Sequence, residues 1–310
     1  MTYKALNIVF MGNPDFSVPS LKHLCRSRHE VLAVVTGTDK RRGRGGKSSP
    51  SPVKQAAIEE SLQVIEADDM NSESLKYSLK ALKPDILVVV AFKLLPPEIL
   101  EIPSIGSVNL HASLLPAYRG AAPIHWALVN GEKETGCTIF LLDHGMDTGT
   151  ILKQRKTPIG LRETTGDLYN RLKDLGAELM VETMNELADG SCMKIPQNET
   201  LATRAPKVTP GNARIRFHTD AMSVHNLIRG MSPFPGAWAL LDHKKIKIYR
   251  TEPAPDIHLE PGKAALVDGV CHAGCQPGSI VINEIQPEGK KTVSGVDFMN
   301  AMEGRKVILQ

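Results

Sequence analysis

The sequence has no long apolar run. Its first stretch, MTYKALNIVFMGNPDF, is apolar only over residues 5–11 before it reaches a turn, so a buried first strand is expected there, not a secretion signal or a membrane-spanning helix. Cysteine is sparse: Cys25, Cys137, Cys192, Cys271 and Cys275 are odd in number and scattered over 310 residues. That spacing argues against a disulfide framework and points to a reducing, cytoplasmic setting. Charge of one sign is also scarce, the net value being +3, so an acidic macromolecular partner would have to be met by a local patch and not by the field of the whole protein. The dinucleotide fingerprint G-x-G-x-x-G is missing, because the turn after the first strand reads Gly12-Asn13-Pro14-Asp15, and neither NAD nor FAD is expected. Cys271, His272 and Cys275 lie close together, but no second Cys or His pair follows to complete four ligands. The thiols are read as hairpin residues and no metal is expected.

What is present is ordinary globular material, 42% hydrophobic and 23% charged, which excludes disorder and fibrous architecture. A chain of 310 residues exceeds the roughly 100–200 residues of one domain, so two domains are expected. In the first half, apolar runs at 5–11, 31–36, 86–91 and 108–110 alternate with helix-like stretches at 18–25, 53–60 and 72–82. This alternation predicts an α/β fold, a Rossmann-like open and mostly parallel sheet with crossover helices. Strand-like runs at 134–142 and 149–154 follow, then a long amphipathic helix over 165–189 whose Leu168, Leu172, Leu175, Leu179, Met184 and Leu187 recur at helical spacing. Residues 191–212 hold Pro196, Pro206, Pro210 and Gly211 with little periodicity and read as a linker. Beyond it, short strands at 239–241, 245–249, 264–267 and 279–285 predict a smaller all-β, OB-like barrel. The expected division is 1–190, a linker at 191–212, and 213–310.

The stretch NLHASLLPAYRGAAP, residues 109–123, concentrates the candidate chemistry. A strand that ends on an amide and an imidazole before a Pro- and Gly-punctuated loop fits the ligand-binding carboxyl edge of an open sheet. Asn109 and His111, two apart, point to the same side of an extended chain. A second segment, LLDHGMDTGTIL, adds Asp143 and Asp147 around Gly145. An amide donor, an imidazole and a carboxylate from separate strand ends can form an acyl-transfer site. Elsewhere KRRGRGGKSSPSPVK places Lys40, Arg41, Arg42, Arg44, Lys47 and Lys54 on a Gly, Ser and Pro framework without an acidic residue. Gly46-Lys47-Ser48 imitates the end of a P-loop, but position 41, where the first glycine belongs, is Arg41. The loop suits a nucleic acid backbone better.

Three segments, Asn109-x-His111-x-Ser113-Leu114-Leu115-Pro116, Arg119-Gly120-Ala121-Ala122-Pro123 and Asp147-Thr148-Gly149, resemble the signature of the folate-dependent formyltransferases. GNPDF (12–16), GRGGKSSPSPVK (43–54) and QPEGKK (286–291) are similar to the methionyl-tRNA formyltransferase branch of that family. The likeness runs over nearly the whole chain. It implies the formyltransferase fold, 10-formyltetrahydrofolate as formyl donor, and the methionine of initiator methionyl-tRNA as acceptor, with no membrane partner and a monomeric enzyme. It further implies that Asn109 and His111 stabilise an oxyanion, that Asp147 orients or charges His111 and helps the amine shed its proton, and that Asp143 is the lesser catalytic candidate. Ser113, Leu114, Leu115 and Pro116 would wall the folate site. The backbone of Val90, Ala91 and Phe92 and of Asp143, His144 and Gly145 would read the pterin. Arg41, Arg42, Arg44, Lys47, Lys207 and Lys247 would hold tRNA, and the role of Arg119 stays open. Phe92 stands where the family often has tyrosine, and Gly37-Thr38-Asp39 where Gln-Pro-Asp is usual.

Two other readings compete: another enzyme using the same folate, such as a sugar formyltransferase or a formyl-folate hydrolase, and a non-enzymatic RNA-binding protein. A small acceptor needs neither the basic loop nor the β-rich tail, and RNA binding alone needs no oxyanion donor. Arg44, bracketed by Gly43 and Gly45, should matter more than its basic neighbours because its flanks let it reach a tRNA acceptor stem. Arg44→Ala is expected to weaken use of charged tRNA while leaving folate binding unchanged. Equal loss of both would assign the loop to the fold or to the folate.

Overall fold

Strands that read as unbroken Val, Ile and Leu runs need cover on both faces, and the crossover helices supply it. The computed structural model describes residues 4–41 and 48–310, without the side chains of residues 40 and 41. The chain divides into two compact units, Met1–Gly120 with Gly136–Thr157 and Asn170–Arg204, and Ala121–Thr135 with Pro158–Tyr169 and Ala205–Gln310. In chain order the first stretch contains β1 (Asn7–Gly12), α1 (Val18–Cys25), β2 (Glu30–Thr36), the two-residue β3 (Lys40–Arg41) and β4 (Ser48–Ser49), α2 (Pro52–Glu59) and β5 (Val64–Glu66). Then come α3 (Glu73–Leu82), β6 (Ile86–Val90), α4 (Pro97–Leu100), β7 (Gly106–His111), α5 (Pro123–Val129), β8 (Glu134–Leu141), β9 (Ile151–Pro158) and α6 (Thr165–Asp189).

The large sheet has the order β5-β2-β1-β6-β7-β8-β9. β5 through β7 pair in parallel, as the alternation predicts, and β8 runs antiparallel to β7 with His111 opposite Thr138 and Val108 opposite Leu141. All five residues of β6 are buried, as are Ile8, Val9, Phe10 and Met11 of β1. Two of the helices start where the sequence offers a cap: Ser51 accepts from Lys54 N, with Pro52 in the first turn of α2, and Ser72 accepts from Leu75 N at the start of α3. In α6, Leu168, Leu172, Leu179 and Met184 are fully buried, in keeping with the expected apolar stripe.

In the second unit β10 (Ala237–Leu241), β11 (Lys244–Ala254), β12 (Lys263–Val267), β13 (Val270–Gly274), β14 (Ser279–Pro287), β15 (Val293–Ser294) and β16 (Val307–Ile308) form an antiparallel sheet ordered β10-β11-β14-β13-β12-β16, with β15 on β14. The sheet curls into a half-barrel, and its outer strands approach closely enough for Leu240 and Gln310 to exchange backbone hydrogen bonds of 2.6 and 2.8 Å. Ile246, Ile248, Ile280, Ile282, Ile285, Phe298 and Val307 fill its interior. Two helices that the sequence reading passed over complete the unit: α7 (Ala221–Gly230), whose Asp220 cap accepts from Ser223 N, and α8 (Gly295–Asn300), capped by Ser294. The buried positions of α7, Ala221, Val224 and Ile228, do have helical spacing, but the run is short and stands among strand-like segments. α5 packs on α7, and the approach is so close that a Cβ on Gly230 would lie 2.6 Å from a Val129 methyl.

Cys271 and Cys275 are buried in this unit, where desolvation pushes their thiols up to about 11 and about 12. His225 is buried too, bonded through Nδ1 to the Thr251 hydroxyl at 3.0 Å and through Nε2 to the Leu161 carbonyl at 2.9 Å. Desolvation holds His225, His125 and His272 below the ordinary histidine value of 6.5. A folded-state value below the unfolded one means the unfolded chain takes up protons first, so these groups stabilise the fold above about pH 6.5 and that contribution is lost as pH falls. The melting temperature is expected to drop between pH 7.5 and pH 5.5 on the order of several degrees. The drop should be smaller in His225→Gln, which keeps polar contacts without a titrating ring. A flat profile over that range would contradict the assignment.

Candidate active site

β7 brings the first two site residues together. Asn109 and His111 lie on the same side of the strand, with Asn109 between Val89 of β6 and Phe140 of β8. His111 is buried, and its Nε2 lies 2.8 Å from the carbonyl of Tyr118. A carbonyl only accepts, so Nε2 carries a proton; Nδ1, the other nitrogen, carries one only when the ring is charged. Nδ1 faces the Asp147 carboxylate at 3.7 Å, too long for a direct hydrogen bond and short enough for an ion pair. The two side chains are only 7% and 14% exposed, so little water screens this pairing. The Asn109 amide has no hydrogen-bond partner among the described residues, which leaves its NH2 free to donate.

Asp147 does not come from a carboxyl-edge strand end. Because β8 is antiparallel to β7, it ends beside the start of β7, where Leu142 N bonds the Ser107 carbonyl. The following loop doubles back along β7 to bring Asp147 to His111. Its backbone is held in the left-handed region, φ 56°, as is Tyr118, φ 63°, which presents the carbonyl to His111. Such conformations cost on the order of 1–3 kcal/mol in non-glycine residues and persist where surrounding contacts impose them. Here Gly120 N donates to Asp147 Oδ2 at 2.8 Å, and the Gln197 amide donates to the carbonyls of Asp147 and Gly149, both at 2.8 Å. Gly149 is required by space: a Cβ there would stand 1.7 Å from the Leu141 carbonyl oxygen. Asp143 has a different task, since its Oδ1 accepts from Gly145 N and the Thr148 hydroxyl and so shapes the turn.

The loop after β7 is equally constrained. Ser113 is fully buried with its hydroxyl donating to the Ala117 carbonyl, and Leu115 sits in a small core with Phe140 and Ile151. The buried Thr138 hydroxyl donates to the Ser113 carbonyl and accepts from Leu115 N and the Gln154 amide. Leu114 and Pro116 are half-buried, so they are the members of this quartet whose side chains retain exposed surface. At the end of β6, Val90 is buried and its carbonyl accepts from the Ser17 hydroxyl, Ala91 is exposed with φ 48°, and Phe92 is half-buried against the β1/β6 core. Two large apolar side chains stand exposed in these loops, Leu94 at 73% and Met146 at 66%.

Arg119 and Gln197 are the members of this constellation that the sequence left without a role. Arg119 donates from Nε and Nη2 to Gln197 Oε1 at 3.0 and 2.7 Å and forms an ion pair with Glu199. No sequence signal marks Gln197, which stands in a stretch read as linker. Of the expected tRNA contacts, Arg42, Arg44 and Lys47 and the side chain of Arg41 lie outside the described residues. Lys207 is exposed, and Lys247 donates to the Pro235 carbonyl at 2.7 Å. Among the described residues no group of three or more His, Cys, Asp and Glu side chains could hold a metal ion, and no helix is long and apolar enough to cross a membrane.

The profile of the formyl transferase family matches residues 6–184, and that of the formyl transferase C-terminal domain matches residues 207–303. The methionyl-tRNA formyltransferase of Citrifermentans bemidjiense is 41% identical over 300 residues, covering 95% of this chain and 93% of that protein. That of Caldanaerobacter subterraneus subsp. tengcongensis is 43% identical over 297 residues, covering 95% and 96%. Among solved structures, the N-formyltransferase of Helicobacter canadensis, in complex with folinic acid and dTDP-3-aminofucose, superposes with a TM-score of 0.69 at 20% identity, covering 91% of this chain and 99% of that one, a likeness of fold. With two family domains in order and relatives of about this identity over nearly its whole length, the chain belongs to the methionyl-tRNA formyltransferase family.

Proposed function

We propose that the chain transfers the formyl group of 10-formyltetrahydrofolate to the α-amino group of methionine on initiator tRNA, in the cytoplasm, for the initiation of translation. The reading rests on one observation: Asn109, whose amide has no hydrogen-bond partner among the described residues, and His111 lie on one side of β7, and the loop after β8 brings the Asp147 carboxylate to the Nδ1 edge of His111. The amine nitrogen attacks the formyl carbon, and the carbonyl π pair moves onto oxygen. Asn109 donates to that oxygen, and the charged ring of His111 supplies a second donor at Nδ1, because Nε2 is committed to Tyr118. An α-amino group titrates near about 8, so the acceptor is partly protonated at neutral pH and needs only a modest base. Asp147 takes that proton. As the tetrahedral carbon collapses, the bond to the folate nitrogen breaks and the proton passes to the leaving nitrogen.

The fit of a folate is supported by Leu94 and Met146, which stand exposed in the loops after β6 and β8 and offer apolar surface to a ring. In this reading the backbone of residues 90–92 and 143–145 meets the pterin. Leu114 and Pro116 form the wall, and the buried Ser113 and Leu115 hold its shape. The first 190 residues carry the chemistry, 191–212 joins, and 213–310 holds tRNA together with the basic loop. In the second unit Lys245 and Lys247 alternate with the buried Ile246 and Ile248, so both face outward from the half-barrel. Lys247 pairs with Trp238, whose ring lies under Lys245 Nζ at 4.5 Å and under the Arg214 guanidinium at 5.5 Å. Both tryptophans donate to the segment around Lys207, Trp126 to the Pro206 carbonyl and Trp238 to that of Pro210. This basic face suits phosphates, whose contacts position a nucleic acid without reading its sequence.

Incubation with formylated folate and charged initiator tRNA should yield formyl-methionine. Transfer only to water or to an amino sugar nucleotide would overturn the reading. Asn109→Ala and His111→Ala should each lower kcat by about 10²–10³ with the fold intact, the loss expected for one oxyanion donor. Asp147→Asn should be similarly slow and Asp143→Asn should not; the reverse result would exchange their roles. Lys245→Ala and Lys247→Ala should each weaken tRNA binding and reduce its salt slope by about one unit, leaving folate affinity unchanged. Unaltered slopes would make this face ordinary surface.

A further inference from the structure

The loop that carries Asp147 is held by a side chain from outside all three signature segments. The Gln197 amide uses its whole bonding capacity: two N–H bonds reach the carbonyls of Asp147 and Gly149, and its oxygen accepts twice from Arg119. Arg119 is anchored in turn by Glu199, two residues beyond Gln197. The same segment clamps the loop after β7. Thr203 N donates to the Pro116 carbonyl, its hydroxyl accepts from Tyr118 N, and its carbonyl accepts from Arg119 N. So residues 197–203 bridge the two loops that deliver the Tyr118 carbonyl and the Asp147 carboxylate to opposite edges of the His111 ring.

We propose that Gln197 is a positioning residue for formyl transfer: it fixes the left-handed backbone of Asp147, and thereby the distance from the carboxylate to His111. This rests on the reading of Asp147 as the group that takes the amine proton. The chemistry of the site explains why an amide is needed. A carboxylate at 197 would keep both bonds to Arg119 but would turn its oxygens on two carbonyls that need donors. Asparagine, one methylene shorter, could not span from Arg119 to the loop.

The discriminating experiment compares Gln197→Glu, Gln197→Ala and Asp147→Asn, singly and with Gln197→Ala combined with Asp147→Asn, in the full-length protein. Measured quantities are kcat, KM for each substrate, folate affinity and melting temperature. Gln197→Ala and Gln197→Glu should lower kcat roughly tenfold to a hundredfold, as small misplacements of catalytic groups do, with KM for folate little changed. In the Asp147→Asn background, adding Gln197→Ala should cost less than about twofold, because the group it positions is already gone. A Gln197→Glu protein with near-normal kcat would show that only the tie to Arg119 matters and would overturn the proposal. So would losses that multiply in the double variant. A fully active Asp147→Asn protein would instead remove Asp147 from the chemistry, overturning the reading of the site and this inference together.

Discussion

The arrangement of this molecule depends on holding one carboxylate beside one buried imidazole without letting them close into an ordinary hydrogen bond. At 3.7 Å from the Asp147 carboxylate, Nδ1 of the His111 ring is close enough to pair with it when the ring carries a second proton and too far for an ordinary hydrogen bond. Groups so poorly hydrated meet with little water between them, so a small displacement of either alters the pairing. Most of the nearby structure is accounted for by that requirement. Tyr118 takes a left-handed conformation and commits Nε2, Gly120 and Gln197 pin Asp147, and Asp143 is spent on shaping the turn.

The antiparallel strand β8 is the topological device behind this. A sheet parallel throughout would send the next loop out at the carboxyl edge, where it could meet His111 only from above. Reversing β8 starts the loop at the opposite end, beside the start of β7, from where it brings Asp147 to His111 at the strand's other end. The doubling back allows no side chain where the loop crosses its own strand, and Gly149 stands at that crossing, under the Leu141 carbonyl. In the second unit the governing constraint is different. A curled sheet leaves its outer strands to be satisfied, and Leu240 and Gln310 do so by bonding each other, while Lys245 and Lys247 of β11 face outward, Lys247 with its Nζ donating to the Pro235 carbonyl.

Much of this was legible in the sequence because it is local. Periodicity of two or 3.6 residues is written by single segments, so the alternation of strands and helices, the stripe of α6 and the two-domain texture could be read from residue order. The Asn109-x-His111 spacing belongs to one strand and needs nothing else to place both side chains on one side. The short elements escaped, α5, α7 and α8 among them, because six to ten residues carry too little periodic signal and owe their stability to neighbours distant in sequence.

The sequence by itself determined which groups could do chemistry, an amide, an imidazole and a carboxylate, since donor and acceptor capacity is a property of the residue type. Tertiary structure alone decided what each of them meets. That Nε2 is committed while Nδ1 faces Asp147 follows from a carbonyl seven residues on, and only the folded chain shows that the turn consumes the Asp143 carboxylate. Gln197 marks the limit most clearly. It lies fifty residues from Asp147 in a proline-punctuated stretch with no periodicity, and only the folded chain brings its amide to the two carbonyls it holds.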